Sequence, residues 1–265
     1  MMAALCLSGC VYYNTFYHAR TAAHEAALLR ETRAPDAPPG AREAELLDRV
    51  AEKCTRILEL HPDSSWADDA LLLLGETRYH QERYDSAEDH LTDFLARHPD
   101  SELRPQAEYL LASVLIESGN PVTAETILEG IAYAQPPGDL ADDALALIGQ
   151  ARHTRGRFEE AASAFADVLS RFPGSDRRAE VRYLAAQNYE AMGELDEAAR
   201  QYESVTEERG SRAIAFEARM RLAEVNIARD RGREALEVLD ELERRTEDRE
   251  LLDEVRLLRG GALES

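Results

Sequence analysis

The chain is poor in cysteine, in basic residues and in long apolar runs. Only Cys6, Cys10 and Cys54 occur in 265 residues. They form no CxxC pair and have no histidine at ligand spacing, which argues against a disulfide framework or a zinc site. Cys54 lies in RVAEKCTRILEL, an amphipathic stretch where a small buried residue fits, and reads as structural. Lys and Arg number 31 against 52 Asp and Glu, a formal charge of −21. A phosphate backbone or an anionic bilayer surface would repel such a chain, so nucleic acid is not an expected partner. No apolar run approaches the roughly 18 residues of a transmembrane helix.

Enzyme motifs are equally scarce. The phosphate-cradling GxxxxGK pattern, GxGxxG, GxSxG and HExxH do not occur. His61 and His98 stand in repeated HPDS turns, where a helix-end role accounts for them. His80 and His90 fall on different helices, His153 precedes a turn, and His18 and His24 are six residues apart on different helical faces. We therefore expect no metal, no cofactor and no catalytic residue.

What is present is a repeat. The composition, 44% hydrophobic and 31% charged, suffices for a continuous core. Gly75, Ala112, Gly149, Ala186, Ala223 and Gly260 follow one another at 37 residues. Twelve residues after the first five stand Ala87, Ala124, Ala161, Ala198 and Ala235. Sixteen after them stand the large residues Leu91, Leu128, Phe165, Tyr202 and Leu239. Pro62, Pro99, Pro136 and Pro173 keep the same period. Each unit reads as a helical hairpin: small residues let two backbones approach, the large one fills the space beside them, and proline ends the second helix. One hairpin cannot bury its apolar face alone, so neighbours must stack.

The pattern predicts five full repeats over 66–246. A preceding second helix is expected in EAELLDRVAEKCTRILELHP, its first helix within 12–32, joined through the proline-rich APDAPPG loop. A lone capping helix follows in RELLDEVRLLRGGALES, giving about thirteen helices and no sheet.

The spacing resembles the tetratricopeptide repeat (TPR), usually 34 residues long and here extended by three. The stretches LHPDSSWADDALLLLGETRYHQERYDSAEDHLTDFLARHPDS and RFPGSDRRAEVRYLAAQNYEAMGELDEAARQYESV resemble, more narrowly, the bacterial envelope TPR lipoproteins, to which BamD and CpoB belong. The likeness spans roughly 41–262. It implies an all-α TPR superhelix (α-solenoid) of about six hairpins plus a capping helix.

In a TPR superhelix the first helix of each repeat lines a groove. Relative to the aligned small residues, Tyr109, Tyr183 and Met220 fall three positions before, and Glu76 and Glu224 one after; Tyr79 joins them as a candidate contact. An acidic rim around tyrosine platforms fits an extended or helical, neutral or basic partner segment. The competing reading has Tyr109 and Tyr183 packing between repeats. The Lys, Arg and Asn that grip a C-terminal carboxylate in cochaperone TPR domains are not at these positions.

At the amino terminus, Leu7, Ser8, Gly9 and Cys10 match a bacterial lipobox, with Cys10 as the residue that would receive the lipid. Residues 1–9 carry no basic residue and only a short apolar run, as a late-assigned start or truncation would leave. The resulting division is 1–9 residual signal segment, 10–40 lipidated terminus with first helix and loop, and 41–265 solenoid. Val11 after the cysteine implies, by the resemblance, the periplasmic face of the outer membrane of a diderm bacterium. The expected partners are other envelope proteins or their peptide segments, with the membrane reached through the lipid anchor. The expected function is a non-enzymatic scaffold, BamD-like in outer-membrane protein assembly. The alternatives are a CpoB-like envelope and division coordinator, or a soluble cytoplasmic adaptor.

Overall fold

A computed structural model of the chain describes the backbone of residues 2–33, 37–208, 212–246 and 248–264, and their side chains apart from residues 2–13, 250 and 264. Among the described residues there are thirteen helices and no strand, as the periodicity predicts. They are α1 (Met2–Glu31), α2 (Ala41–Leu60), α3 (Ala67–His80), α4 (Tyr84–Arg97), α5 (Arg104–Glu117), α6 (Pro121–Ala132), α7 (Ala141–Thr154), α8 (Phe158–Arg171), α9 (Arg178–Ala191), α10 (Leu195–Val205), α11 (Arg212–Ala228), α12 (Gly232–Arg245) and α13 (Arg249–Glu264).

One boundary differs from expectation. The first helix begins at Met2, ahead of the expected 12–32, because Ala, Leu and Met are strong helix formers and no proline precedes Pro35. The segments read as 1–9 and 10–40 therefore share one helix.

The chain divides into two compact units, 1–131 and 132–265. In the first, α1 packs on α2, α2 on α3, α3 on α4 and α4 on α5, with α3 also meeting α5. In the second, each helix from α7 to α13 packs on the next, and α7, α9, α11 and α13 meet in sequence. Alternate helices thus form one layer of each unit.

The aligned positions explain the packing. A Cβ placed on Gly75 would lie 2.8 Å from Leu91 Cγ, and one on Gly149 would lie 2.7 Å from Phe165 Cδ1. The small residue and the large residue sixteen places on are thus direct partners within a hairpin. Ala87, Ala124, Ala161, Ala198 and Ala235 are all wholly buried beside them.

The hairpin turns share one geometry. Seven residues after each aligned position the backbone is left-handed: Glu82 (φ 58°), Gly119 (88°), Gly156 (71°), Gly193 (77°) and Asp230 (57°). The amide one residue later returns to a carbonyl five positions back, as in Arg83 to Arg78, Arg157 to Arg152 and Arg231 to Asn226, each at 2.9 Å. This closes the helix C-terminus as a Schellman-type cap.

Polar ties run from repeat to repeat. In the first unit, Gln81 donates to Asp48 at 2.8 Å, Ser101 to Asp68 at 2.7 Å, and Arg97 to the Pro62 carbonyl at 3.1 Å. In the second, Arg177 meets Asp143 at 2.6 Å and Arg229 meets Asp196. Burial works against the Arg177 charge, and the Glu180 and Asp143 carboxylates more than offset it, raising its pKa.

The first hairpin confirms the expected pairing of an upstream helix with α2. Phe16, Ala19, Ala22 and Ala26 pack with Leu46, Leu47, Val50, Cys54 and Ile57 of α2 and Ala70 and Leu74 of α3. Cys54 is fully buried, and that burial pushes its thiol up to about 12, which makes it inert near neutral pH. Across the proline-rich loop, Arg33 reaches the buried carboxylate of Glu43 at 3.0 Å.

Candidate functional site

The six expected groove residues divide between the two units. Glu76, Tyr79 and Tyr109 belong to the first, Tyr183, Met220 and Glu224 to the second. Cys10 lies on α1, and its side chain is outside the described residues.

In the first unit, the helical period sets Glu76 and Tyr79 three residues apart on one flank of α3, with Glu76 exposed and Tyr79 half-buried. The Tyr79 ring stands edge-on to His80 at 5.2 Å and tilted against Tyr84 at 6.0 Å. His80 in turn has its Nε2 3.8 Å from the Glu76 carboxylate. Burial pushes the Tyr79 phenol up, with further contributions from Glu117, Tyr84 and Tyr109 against an opposing pull from Arg30. Tyr109, half-buried on α5, and Glu117, exposed at the end of that helix, thus act on Tyr79 by charge across the contact between α3 and α5. Tyr84, at the start of α4, is raised first by burial and then by the same Glu117. Sequence reading misses Tyr84 and Glu117, because neither lies at the aligned groove positions of a first helix.

In the second unit, the Tyr183 ring meets Tyr202 at 5.6 Å in an edge arrangement. Tyr202 is fully buried and its hydroxyl donates to Glu190. Arg221 forks onto the same carboxylate at 2.9 and 3.0 Å and reaches Glu224 at 2.5 Å. Burial raises the Tyr183 phenol, as do Glu217, Glu190 and Glu224, while Arg221 lowers it. Tyr183 and Glu224 are therefore brought together around a cation of the chain's own. Met220 is not part of this group: it packs against the core of α12 and α13 that includes Leu239 and Val255.

The expected acidic rim is thus open in the first unit and neutralised by Arg221 in the second. Arg221 stands two residues before Ala223 and 31 after Glu190, a spacing that only the stacking of α11 on α9 makes meaningful. Chemically, both arrangements offer aromatic faces and carboxylates for recognition. Among the described residues no group of three or more His, Cys, Asp or Glu side chains is placed to hold a metal ion, and no helix is long and apolar enough to cross a membrane.

Comparison with known proteins bears on the fold. Residues 1–182 match the family described as a tetratricopeptide repeat-like domain, and residues 153–216 match a second described as a tetratricopeptide repeat. No curated protein sequence matches the chain. Among solved structures, the chain is similar to PilW, described as a widely conserved type IV pilus biogenesis factor. The identity is 15%, with 89% of this chain and 97% of that one covered at a TM-score of 0.62. It is also similar to BtubC from P. vanneervenii, 18% identical over 75% of this chain and 87% of that one, at a TM-score of 0.61. A thermophilic TPR protein of Thermus thermophilus is 18% identical over 80% of this chain and 99% of that one, at a TM-score of 0.54. At these identities the likeness is one of fold.

Proposed function

The chain belongs to the tetratricopeptide repeat-like domain family, and from that premise we propose that it is a non-enzymatic protein-binding scaffold. The observation that carries this reading is the tyrosine and carboxylate surface of Glu76, Tyr79 and Tyr109, set on the alternate helices of stacked hairpins. Tyrosine offers large contact area at low entropic cost, with a hydroxyl to orient a partner. With a net charge of −21, the chain steers basic segments toward itself, repels acidic ones and leaves neutral ones to contact alone.

The same proposal places the protein at the periplasmic face of the outer membrane, anchored through lipid on Cys10. Its support is the Leu7-Ser8-Gly9-Cys10 sequence ahead of the first residue of the 37-residue register. Three acyl chains on such a cysteine would anchor firmly, where one would hold marginally. The partners are then other envelope proteins, and BamD-like assistance to outer-membrane protein assembly is the finer reading. Helix α1 spends its apolar stripe on α2 and α3, burying Phe16, Ala19, Ala22 and Ala26.

The test is cross-linking of the native protein in its own cells, with mass spectrometry of both the captured partners and Cys10. Acylated Cys10 together with components of the β-barrel assembly machine is the expected result. Division proteins in their place would redirect the reading to the CpoB-like role. An unmodified Cys10 on protein found wholly in the soluble fraction would leave a cytoplasmic adaptor.

A further inference from the structure

Each unit has a hollow between a second helix and the turn of the following hairpin, and the two hollows differ in whether their arginines meet a carboxylate. In the second unit Arg229 and Arg231 both reach Asp196 of α10, Arg231 at 3.5 Å. Four periods earlier in the 37-residue register the same positions hold Gln81, Arg83 and Asp48. There the neutral amide of Gln81 donates to Asp48 at 2.8 Å, and Arg78 Nη1 donates to Gln81 at 2.8 Å. An amide thus stands between the charge and the carboxylate. Arg157, which also shares the register of Arg83, bonds Glu160 three residues on at 2.8 Å, whereas Arg83 has Ser86 at that place. Among the described residues no carboxylate oxygen lies within 4.0 Å of the Arg78 or Arg83 guanidinium.

Both arginines line a cavity of about 640 Å³ against α2, together with Arg56, Asp48, Glu52 and Glu59. Arg78 is half-buried; its Nε is sealed from solvent without a partner, and its Nη2 makes no hydrogen bond. Burial first, and the charge of Arg83 second, lower the Arg78 pKa against an opposing pull from Asp48.

We propose that Arg78 and Arg83 form an anion subsite that takes one acidic side chain from a bound partner segment. The subsite rests on the scaffold reading above and adds a contact that the tyrosine surface does not supply. A guanidinium presents its N–H groups as a fork that matches a carboxylate, and an anion set between two guanidiniums relieves their mutual repulsion. Three arginines and three carboxylates line the cavity, so its summed charge is zero and it draws no free anion toward a chain of −21. A segment of mostly basic residues is drawn in. Its one acidic residue then meets Arg78 and Arg83, while its basic neighbours meet the exposed Glu52 and Glu59.

The experiment titrates the full chain with the amidated peptide Lys-Leu-Lys-Glu-Lys-Leu-Lys, carrying a neutral fluorophore at its amino terminus and read by fluorescence anisotropy. A second peptide has glutamine in place of the glutamate. Diffuse attraction to the acidic chain favours the glutamine peptide, the more basic of the two, so the subsite predicts the opposite order. We expect the glutamate peptide to bind about threefold tighter. Arg83→Gln should abolish or reverse that preference, and because Arg83 is exposed the variant keeps its fold. Arg233→Gln, at an exposed arginine of α12, makes the same change in net charge outside the cavity and should leave the preference intact. Equal or tighter binding of the glutamine peptide by the parent chain would overturn the subsite. So would a preference that survives Arg83→Gln, or one lost equally in Arg233→Gln. If the peptides behave as expected and cross-linking captures no partner, the subsite stands and the scaffold reading fails. Partners captured by a chain that shows no glutamate preference leave the scaffold reading standing without this subsite.

Discussion

Gly149 and Phe165 share one volume. A methyl group at Gly149 would press onto Phe165 Cε1, with Cδ1 at 2.7 Å and Cζ at 2.9 Å, so α7 and α8 approach as closely as they do because position 149 has no side chain. Gly149→Ala should destabilise the second unit by about 1–3 kcal/mol, the usual cost of overpacking a core. Phe165→Leu in the same chain should recover part of that loss. Urea denaturation of the single and double variants checks this; additive losses would show that the two residues do not compete for space.

The left-handed turn residues give a paired prediction. Gly156 has φ 71° and nothing within 4 Å of the position a Cβ would take. Gly156→Ala should therefore cost about 1–2 kcal/mol through backbone conformation alone. Glu82 holds φ 58° with a side chain attached, so Glu82→Gly should raise stability by up to about 1 kcal/mol after the entropic penalty of glycine. Thermal melts of the two variants should shift in opposite directions.

Arg33 and Glu43 form an ion pair whose carboxylate side chain is 3% exposed. Removing the arginine leaves that charge buried without its partner. Arg33→Ala should cost about 3 kcal/mol, near the lower end for a broken buried pair because the Arg33 side chain is itself 24% exposed. Arg33→Ala with Glu43→Leu should restore most of it, which chemical denaturation of both variants would measure.

His90 supplies a pH dependence. Burial first, and the nearby Arg78 second, lower its pKa, against the opposing influence of Asp89 and Asp93. An unfolded histidine takes up its proton near pH 6.5. Below that pH the unfolded chain holds more protons at this site than the folded one, so the His90 contribution to stability falls as pH drops through about 6.5 and is complete above it. In His90→Gln the stability profile should be flatter between roughly pH 6.5 and 5 than in the parent chain.

Much of this architecture is legible in the chain because packing repeats. Gly75 with Leu91 and Gly149 with Phe165 recur at one spacing, and contact between them follows from helix geometry. The turns are half legible: Gly119, Gly156 and Gly193 mark the left-handed position, whereas Glu82 and Asp230 conceal it. The start of α1 is hidden because residues 2–11 lie outside the register. Tyr79 and Tyr183 stand out as candidates, but the charges that reach their phenols include those of Glu117 and Arg221. Those residues act across hairpins, and side-chain reach between hairpins leaves no period in the sequence.

The carboxylate of Glu190 answers to two helices at once: the Tyr202 hydroxyl from its own hairpin and the Arg221 fork from the following one. At the position of Tyr202 the other hairpins carry Cys54, Leu91, Leu128, Phe165 and Leu239, none of which has a hydroxyl to offer. The repeats are therefore not interchangeable bricks. α9 and α10 are keyed to α11 as their successor, so a chain with its hairpins transposed would keep the 37-residue spacing and lose the address that fixes their order.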